Sequence, residues 1–364
     1  MDDWLRLVKE SLTTADDLSL HFPGVDTGEA KQVIGKYPMR INSYFMDVIR
    51  NSDSPAIYRQ AVPDIAELRD TVCMEDPLSE EQQSPVPNLT HRYPDRCLFL
   101  VSSQCAMYCR FCTRKRKVGD PQMISADTIK AGIEYIKNHS EIRDVILSGG
   151  DPLMLADEVL EDIVGNVRKI PHVEIIRIGT RVPCALPMRV TQRLCRMLKK
   201  HHPIFINVHF NHPDELTPEA REACGRLVDS GFPVNNQSVL LRGVNDSPEI
   251  LTKLFQQLLA CRVRPYYLYQ ADVTKGTNHF RTPMERGLDI IRGLRGYTSG
   301  LAVPHFVIDA PQGGGKIPLL PKYVTRRTNK EIIMRNYKGE IYRYPEVQHE
   351  ELDVKVVENT EVLK

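Results

Sequence analysis

From Ser125 to Asp309 the chain alternates short apolar runs with amphipathic stretches of helical length, the pattern of repeated βα units. Strands are predicted at Cys97–Ser103, Asp144–Leu147, Glu174–Ile178, Ile204–Phe210, Pro233–Leu240, Pro265–Tyr269 and His305–Asp309. Helices are predicted at Ser125–Asn138, Ala156–Lys169, Val190–Lys200, Pro218–Leu227, Pro248–Cys261 and Pro283–Leu294. The helix ends carry suitable chemistry: Ala156–Lys169 runs from acidic to basic, and Thr217 fits an N-cap. Parallel strands joined by helical crossovers need cover on both faces, so these units wind into an open sheet or curl into a partial barrel. Either way, catalytic groups collect at the carboxyl ends of the strands. Polar clusters follow the strands here, among them Ser103-Gln104-Cys105, Ser148-Gly149-Gly150-Asp151, Gly179-Thr180-Arg181, Gln270-Ala271-Asp272 and Asp309-Ala310-Pro311.

Residues 1–95 read as a helical extension broken in its second half by Pro63, Pro77, Pro85, Pro87 and Pro94. Residues 96–310 form the α/β body. Residues 311–364 hold a glycine loop, a hairpin from Glu331 to Tyr344 turning at Lys338-Gly339, and a charged end from Glu346 expected to be mobile. The 48 basic and 47 acidic side chains nearly cancel, so no global field draws the protein to nucleic acid or a membrane. The opening Met-Asp-Asp-Trp-Leu is acidic, and no apolar run approaches membrane-spanning length, so a cytoplasmic location is expected. In a reducing compartment most of the nine cysteines are core thiols.

Three cysteines ask for more. Cys105-Ala-Met-Tyr-Cys109-Arg-Phe-Cys112 sets three thiols just past the first predicted strand. A redox pair made of Cys109 and Cys112 would leave Cys105 idle. A zinc site would want a fourth ligand, and no second Cys-x-x-Cys follows. A 4Fe-4S cluster held by three thiolates leaves one iron open to the amino and carboxylate groups of S-adenosylmethionine. An electron of low potential delivered there can break a carbon–sulfur bond and release an adenosyl radical. The spacing resembles the radical S-adenosylmethionine (radical SAM) superfamily. The run Ser148, Gly149, Gly150, Asp151 looks like that superfamily's glycine-rich turn, which meets the methionine amino group.

The run Asp309-Ala-Pro-Gln-Gly313-Gly314-Gly315-Lys316 joins a strand end to a lysine through three glycines. A nucleotide-binding P-loop would need glycine at Ala310 and a hydroxyl residue at Ile317, so that reading falls. Glycine lets the chain fold tightly back and aim Lys316 into the mouth of the fold. A partly desolvated lysine there can lose its proton and bond an aldehyde cofactor.

Taken in order, His91-Arg92-Tyr93-Pro94-Asp95-Arg96, Cys105 to Lys117, Ser148 to Leu153, Asn207 to Pro213, His279 to Pro283 and Asp309 to Tyr323 resemble the lysine 2,3-aminomutase family over most of the chain. The resemblance implies a partial (β/α)6 TIM-type barrel with an N-terminal helical extension and a short C-terminal segment. It implies that Lys316 holds pyridoxal phosphate, that an adenosyl radical takes hydrogen from carbon 3 of the substrate, and that the amino group moves from carbon 2 to carbon 3. Arg92, Tyr93 and Arg96 would surround the pyridoxal ring and phosphate. Arg181, His209 and Gln237 would face S-adenosylmethionine, and Arg114 would grip the substrate carboxylate.

Asp272 and Asp309 match positions where lysine-acting members carry aspartate. Two converging carboxylates suit a buried ammonium. The lesser alternatives are a turn carboxylate for Asp272 and a backbone partner of the glycine loop for Asp309. Two acids would also suit arginine or ornithine, or a lysine on a partner protein. The basic run Thr113-Arg-Lys-Arg-Lys117 follows a cluster cysteine in a chain without basic excess, so no nucleic-acid surface is read from it. The resemblance further implies a reducing electron donor such as flavodoxin or ferredoxin, and a homo-oligomer. Some family members bind zinc through C-terminal cysteines. This chain has none after Cys261, so no such zinc is expected.

Overall fold

The structure, a computed structural model, describes residues 3–347. It divides into two compact units, one ending at Leu320 and the other beginning at Pro321. The expected end segment lies, from residue 348, outside the described residues.

The first unit is built on a nine-stranded sheet in sequential order. Its strands are β1 (Leu89–Tyr93), β2 (Arg96–Ser102), β3 (Asp144–Gly149), β4 (Ile175–Thr180), β5 (Ile204–Val208), β6 (Val234–Leu240), β7 (Arg264–Gln270), β8 (His305–Ala310) and β9 (Gly315–Pro318). From β2 to β8 every pairing is parallel. The crossovers carry helices Ala126–Lys137, Asp157–Arg168, Gln192–Lys199, Pro218–Asp229, Pro248–Ala260 and Met284–Leu294. All seven predicted strands and all six predicted helices are therefore present. Two strands were not foreseen: β1 and β9 add antiparallel edges to β2 and β8.

Side chains alternate across a strand, and here the alternation divides two environments. Val145, Leu147, Ile176 and Ile178 point outward and are fully buried beneath the helices. Asp144, Ile146, Ser148, Arg177 and Gly179 point inward and line a cavity. A packed barrel fills that inner face with bulky branched residues; this one is largely polar. The sheet curls until its outer strands meet through side chains rather than a ladder. Lys316 N on β9 donates to Tyr93 Oη on β1 at 2.9 Å. The Arg92 guanidinium of β1 stands 3.9 Å from Asp309 of β8. The result is a partial barrel.

Five short helices precede β1: Asp3–Lys9, Ala15–His21, Thr27–Lys36, Ser43–Arg50 and Pro55–Ala61. The last four begin at side-chain caps, from Thr14, Asp26, Asn42 and Ser54 respectively. Asn42 is fully buried, and its amide also donates to Ala106 O at 3.0 Å and Ala185 O at 2.8 Å, tying the extension to the cysteine loop. Leu18, Ile41, Phe45 and Ile57 share one apolar core with the barrel helices. An irregular segment, residues 68–88, then runs to β1.

The second unit is a three-stranded antiparallel sheet of β10 (Val324–Arg327), β11 (Glu331–Arg335) and β12 (Ile341–Pro345). The expected hairpin is its second and third strands, turning through Gly339 at φ 87°. Among the described residues no helix is long and apolar enough to cross a membrane.

Candidate active site

A cavity of about 690 Å³ opens at the carboxyl end of the barrel and runs down its interior. It is lined by Arg92, Tyr93, Arg96, Arg114, Ser148, His209, Gln237, Asp272, Asp309 and Lys316. Motifs scattered over more than two hundred positions thus converge on one space.

Lys316 sits on β9 rather than on a free loop. The chain reverses through Gln312, Gly313 and Gly315 at φ 59°, 80° and 81°, and the return strand claims the open edge of β8. A Cβ on Gly315 would stand 2.9 Å from Tyr93 Oη, so that position has no room for a side chain. The register sets Lys316 opposite Asp309. Lys316 Nζ donates to both Asp309 oxygens, at 3.0 and 3.2 Å, and lies 5.4 Å from the Tyr269 ring centre.

Arg92 is clamped by Gln83 Oε1 and Leu78 O, each at 2.7 Å. Arg96 stacks its guanidinium 4.2 Å above the Tyr93 ring. Asp272 is partly buried and accepts from Thr113 Oγ1 at 2.8 Å. Burial, with Asp309 nearby, pushes its carboxyl up to about 6 despite Thr113 and the cations Lys316 and Arg114. Arg114, expected to face a substrate carboxylate, lies against the cavity with one flank on buried Glu80 at 2.6–3.1 Å. The rest of the basic run is also neutralised at short range. Lys115 meets Glu67 at 2.6 Å, Arg116 meets Asp76 at 3.0 Å, and Lys117 meets Glu81 at 2.8 Å.

The cysteines occupy an irregular loop after β2. Burial raises the Cys105 thiol well above its ordinary value and the Cys112 thiol to about 11, so iron binding there would release protons. Among the described residues no three Cys, His, Asp or Glu side chains are gathered on a point suited to a single metal ion. An iron–sulfur cluster makes a different demand, because each thiolate bonds its own iron and the sulfurs stay apart. Arg181 donates to Cys109 Sγ at 2.6 Å and to Gln60 and Glu215, each at 2.8 Å, bringing positive charge to the thiols. Below the loop, Glu67 accepts from Arg110 and Lys115, residues flanking Cys112, and all three are buried.

The Ser148–Asp151 turn packs on the same loop. Gly150 N donates to Ser102 O at 2.5 Å, and Asp151 N donates to Gln104 O at 2.7 Å. A Cβ on Gly149 would fall 2.1 Å from Ser102 O, and one on Gly150 would fall 2.5 Å from Gln104 O. Both glycines are therefore required by backbone contact. Asp151 is a hub, accepting from Thr180 Oγ1 and from the backbone of Leu153, Arg181 and Val182. Gly149, Gly150, Asp151 and Arg181 thus border the cysteine loop, while Ser148, His209 and Gln237 face the cavity. Burial, seconded by Arg181, holds His209 down to about 3, so its ring is neutral. His209 Nε2, Gln60 Nε2 and Arg181 Nε are buried without protein partners, a donor and acceptor set that a polar cofactor would satisfy.

Sequence reasoning missed Glu80, Gln83, Gln60, Glu215 and Tyr269. Only Tyr269 carried a signal, since Tyr267 and Tyr269 share a strand face with Asp309's neighbours, as the alternation of β7 would indicate.

Known proteins resemble the chain over most of its length. Residues 99–254 match the family model described as the radical SAM superfamily, and residues 291–361 match the one described as lysine-2,3-aminomutase. The chain is 48% identical to an L-lysine 2,3-aminomutase of Fusobacterium nucleatum, over 96% of this chain and 83% of that protein. It is 50% identical to an L-lysine 2,3-aminomutase of Methanococcus maripaludis, over 93% of this chain and 79% of that one. A glutamate 2,3-aminomutase of Clostridioides difficile is 42% identical over 86% of this chain and 75% of its own length. With the matched segments spanning both the cysteine loop and the lysine hairpin, the chain belongs to the lysine 2,3-aminomutase family of the radical SAM superfamily.

Proposed function

We propose that this radical SAM aminomutase interconverts L-lysine and L-β-lysine, using pyridoxal phosphate on Lys316 as its second cofactor. The observation carrying the substrate is the paired acids: Asp272 and Asp309 enter one cavity, with Arg114 on its wall. A glutamate-acting relative needs a cation where these acids stand. Two carboxylates in a desolvated space instead favour a distal ammonium, and an arginine favours the α-carboxylate.

In this reading Cys105, Cys109 and Cys112 hold a 4Fe-4S cluster, with Arg181 balancing charge at Cys109. Ser148, Gly149, Gly150, Asp151, His209 and Gln237 form the bed for S-adenosylmethionine, the unpartnered His209 Nε2 accepting or donating as the ligand requires. Arg92 and Arg96 offer guanidinium forks to the pyridoxal phosphate group, while Tyr93 fixes the Lys316 backbone and bounds the ring. When bound, these cofactors supply a carbon radical able to take hydrogen from carbon 3 and an electron-delocalising ring that carries the migrating nitrogen. The chain's own part is placement. Arg114 and the two aspartates stretch lysine between opposite charges so that carbon 3 faces the radical source.

The test is anaerobic reconstitution with iron, sulfide, pyridoxal phosphate and S-adenosylmethionine, followed by chromatography of the products from lysine, ornithine, arginine and glutamate. β-Lysine as the dominant product is expected. Turnover confined to another amino acid would overturn the assignment.

A further inference from the structure

Glu80 stands in the irregular segment before β1, in a stretch that no motif marks. Its side chain is 3% exposed, and it spends both oxygens on one arginine. Arg114 Nε reaches Oε1 at 3.1 Å and Oε2 at 3.0 Å, and Nη2 reaches Oε1 at 2.6 Å. All these contacts lie on one flank of a planar guanidinium. The opposite edge, Nη1 with the second hydrogen of Nη2, is thereby turned away from Glu80 and has the geometry of a fork for another carboxylate.

A second acid, Asp272, lines the same cavity as this arginine. Arg114 and Asp272 influence each other's charge, and Asp272 is anchored by Thr113, the residue next to Arg114 in the chain.

The backbone of the segment carrying Glu80 is pinned at several points. The segment is fixed to the loop after Asp272, with Met74 N donating to Val273 O at 2.7 Å and Lys275 N to Met74 O at 2.8 Å. It is fixed to the turn before Lys316 by Gln312 N donating to Pro77 O at 2.8 Å. Arg116 adds a contact to Glu80 at 3.7 Å. One strap thus registers three loops that carry Arg114, Asp272 and Lys316.

We infer that Glu80 is a positioning and specificity-determining residue, which holds Arg114 edge-on to the substrate carboxylate. The inference rests on the reading that Arg114 meets the carboxylate and Asp272 the distal ammonium. Its consequence is discrimination between amino acids and their carboxamides, because a misaligned guanidinium no longer forms a paired bond with a carboxylate.

The test compares L-lysine with L-lysinamide on enzyme loaded with cluster and pyridoxal phosphate, reading dissociation constants from the perturbed pyridoxal absorbance and KM apart from kcat. Wild type should prefer lysine. Glu80→Ala should weaken lysine binding by about tenfold or more while leaving lysinamide within about threefold, so that the preference collapses. Glu80→Gln, isosteric and able to accept from one guanidinium nitrogen, should fall between, with the change carried mainly by KM. Both variants keeping the full preference for lysine, or binding lysine more tightly, would overturn the role of Glu80. Wild type indifferent to the two ligands would instead remove the Arg114 reading, and the inference with it.

Discussion

Lys316 and Asp309 face each other across the β8–β9 pairing, with the ammonium donating to both carboxylate oxygens at 3.0 and 3.2 Å. The same carboxylate is the one proposed to hold the distal ammonium of the substrate. The two amines therefore compete for Asp309 until Lys316 is engaged elsewhere. Asp309→Asn should lower kcat/KM for lysine by about a hundredfold or more, because it removes a desolvated charge partner. The cluster absorbance should stay intact, and steady-state kinetics with an iron assay check both halves. Lys316→Ala should abolish covalent trapping of pyridoxal on the chain by borohydride, as seen by mass spectrometry.

Asp272 makes the reaction sensitive to acid. Burial raises its carboxyl to about 6, so protonation in that range removes the anion that lysine needs. kcat/KM for lysine should fall as pH drops through about 6, and Asp272→Asn should lose that limb along with most of its activity. Stability responds with the opposite sign. The folded chain holds this proton more tightly than the unfolded chain does, so the contribution of Asp272 to stability increases as pH falls from about 6 towards 4. Melting curves of wild type and Asp272→Asn should approach each other as pH falls from about 6 towards 4, where the protonated carboxyl is as neutral as the asparagine amide, and separate above about 6 with wild type the less stable; the informative quantity is the slope of their difference.

Gly149 has φ 131°, and a Cβ there would lie 2.1 Å from Ser102 O. Gly149→Ala should cost about 1–3 kcal/mol from the dihedral alone. The backbone clash adds to that and displaces the strand end leading to Cys105. Lower iron content after reconstitution, together with a lower Tm, is the expected result.

Arg181 places a guanidinium 2.6 Å from Cys109 Sγ and pairs with Glu215, which is fully buried. Arg181→Gln keeps hydrogen-bonding capacity but removes the charge. The cluster potential should become more negative by on the order of 50 mV, since adding an electron loses a favourable interaction. Electron paramagnetic resonance titration reads this without turnover. Uncompensated Glu215 should also lower stability, by about 3–5 kcal/mol.

Much of this site was legible because its chemistry is concentrated in strand ends. Cys105, Cys109 and Cys112, the Ser148–Asp151 turn and the Asp309–Lys316 run each break local pattern where a parallel sheet collects its reactive groups. Edge strands were not legible. β1 contains His91, Arg92 and Tyr93, which read as a polar turn, and β9 begins on glycine, so neither shows an apolar alternation. Their strand character comes from the open edges of β2 and β8, a tertiary cause that propensity does not record. Glu80 and Gln83 were invisible for a related reason. They act through partners at Arg114 and Arg92, and no spacing in the sequence announces a pairing across a cavity. The polar inner face was readable in principle, from Asp144, Ile146 and Ser148 alternating with Val145 and Leu147.

Between Asp309 and Lys316 the chain has a fixed length, and that length works as a ruler. Adding or deleting a single residue in the turn would rotate the amine to the other face of β9, where Ile317 now stands exposed, whatever else was kept. Sequence drift inside the turn is tolerable wherever the backbone allows it; drift in its count is not.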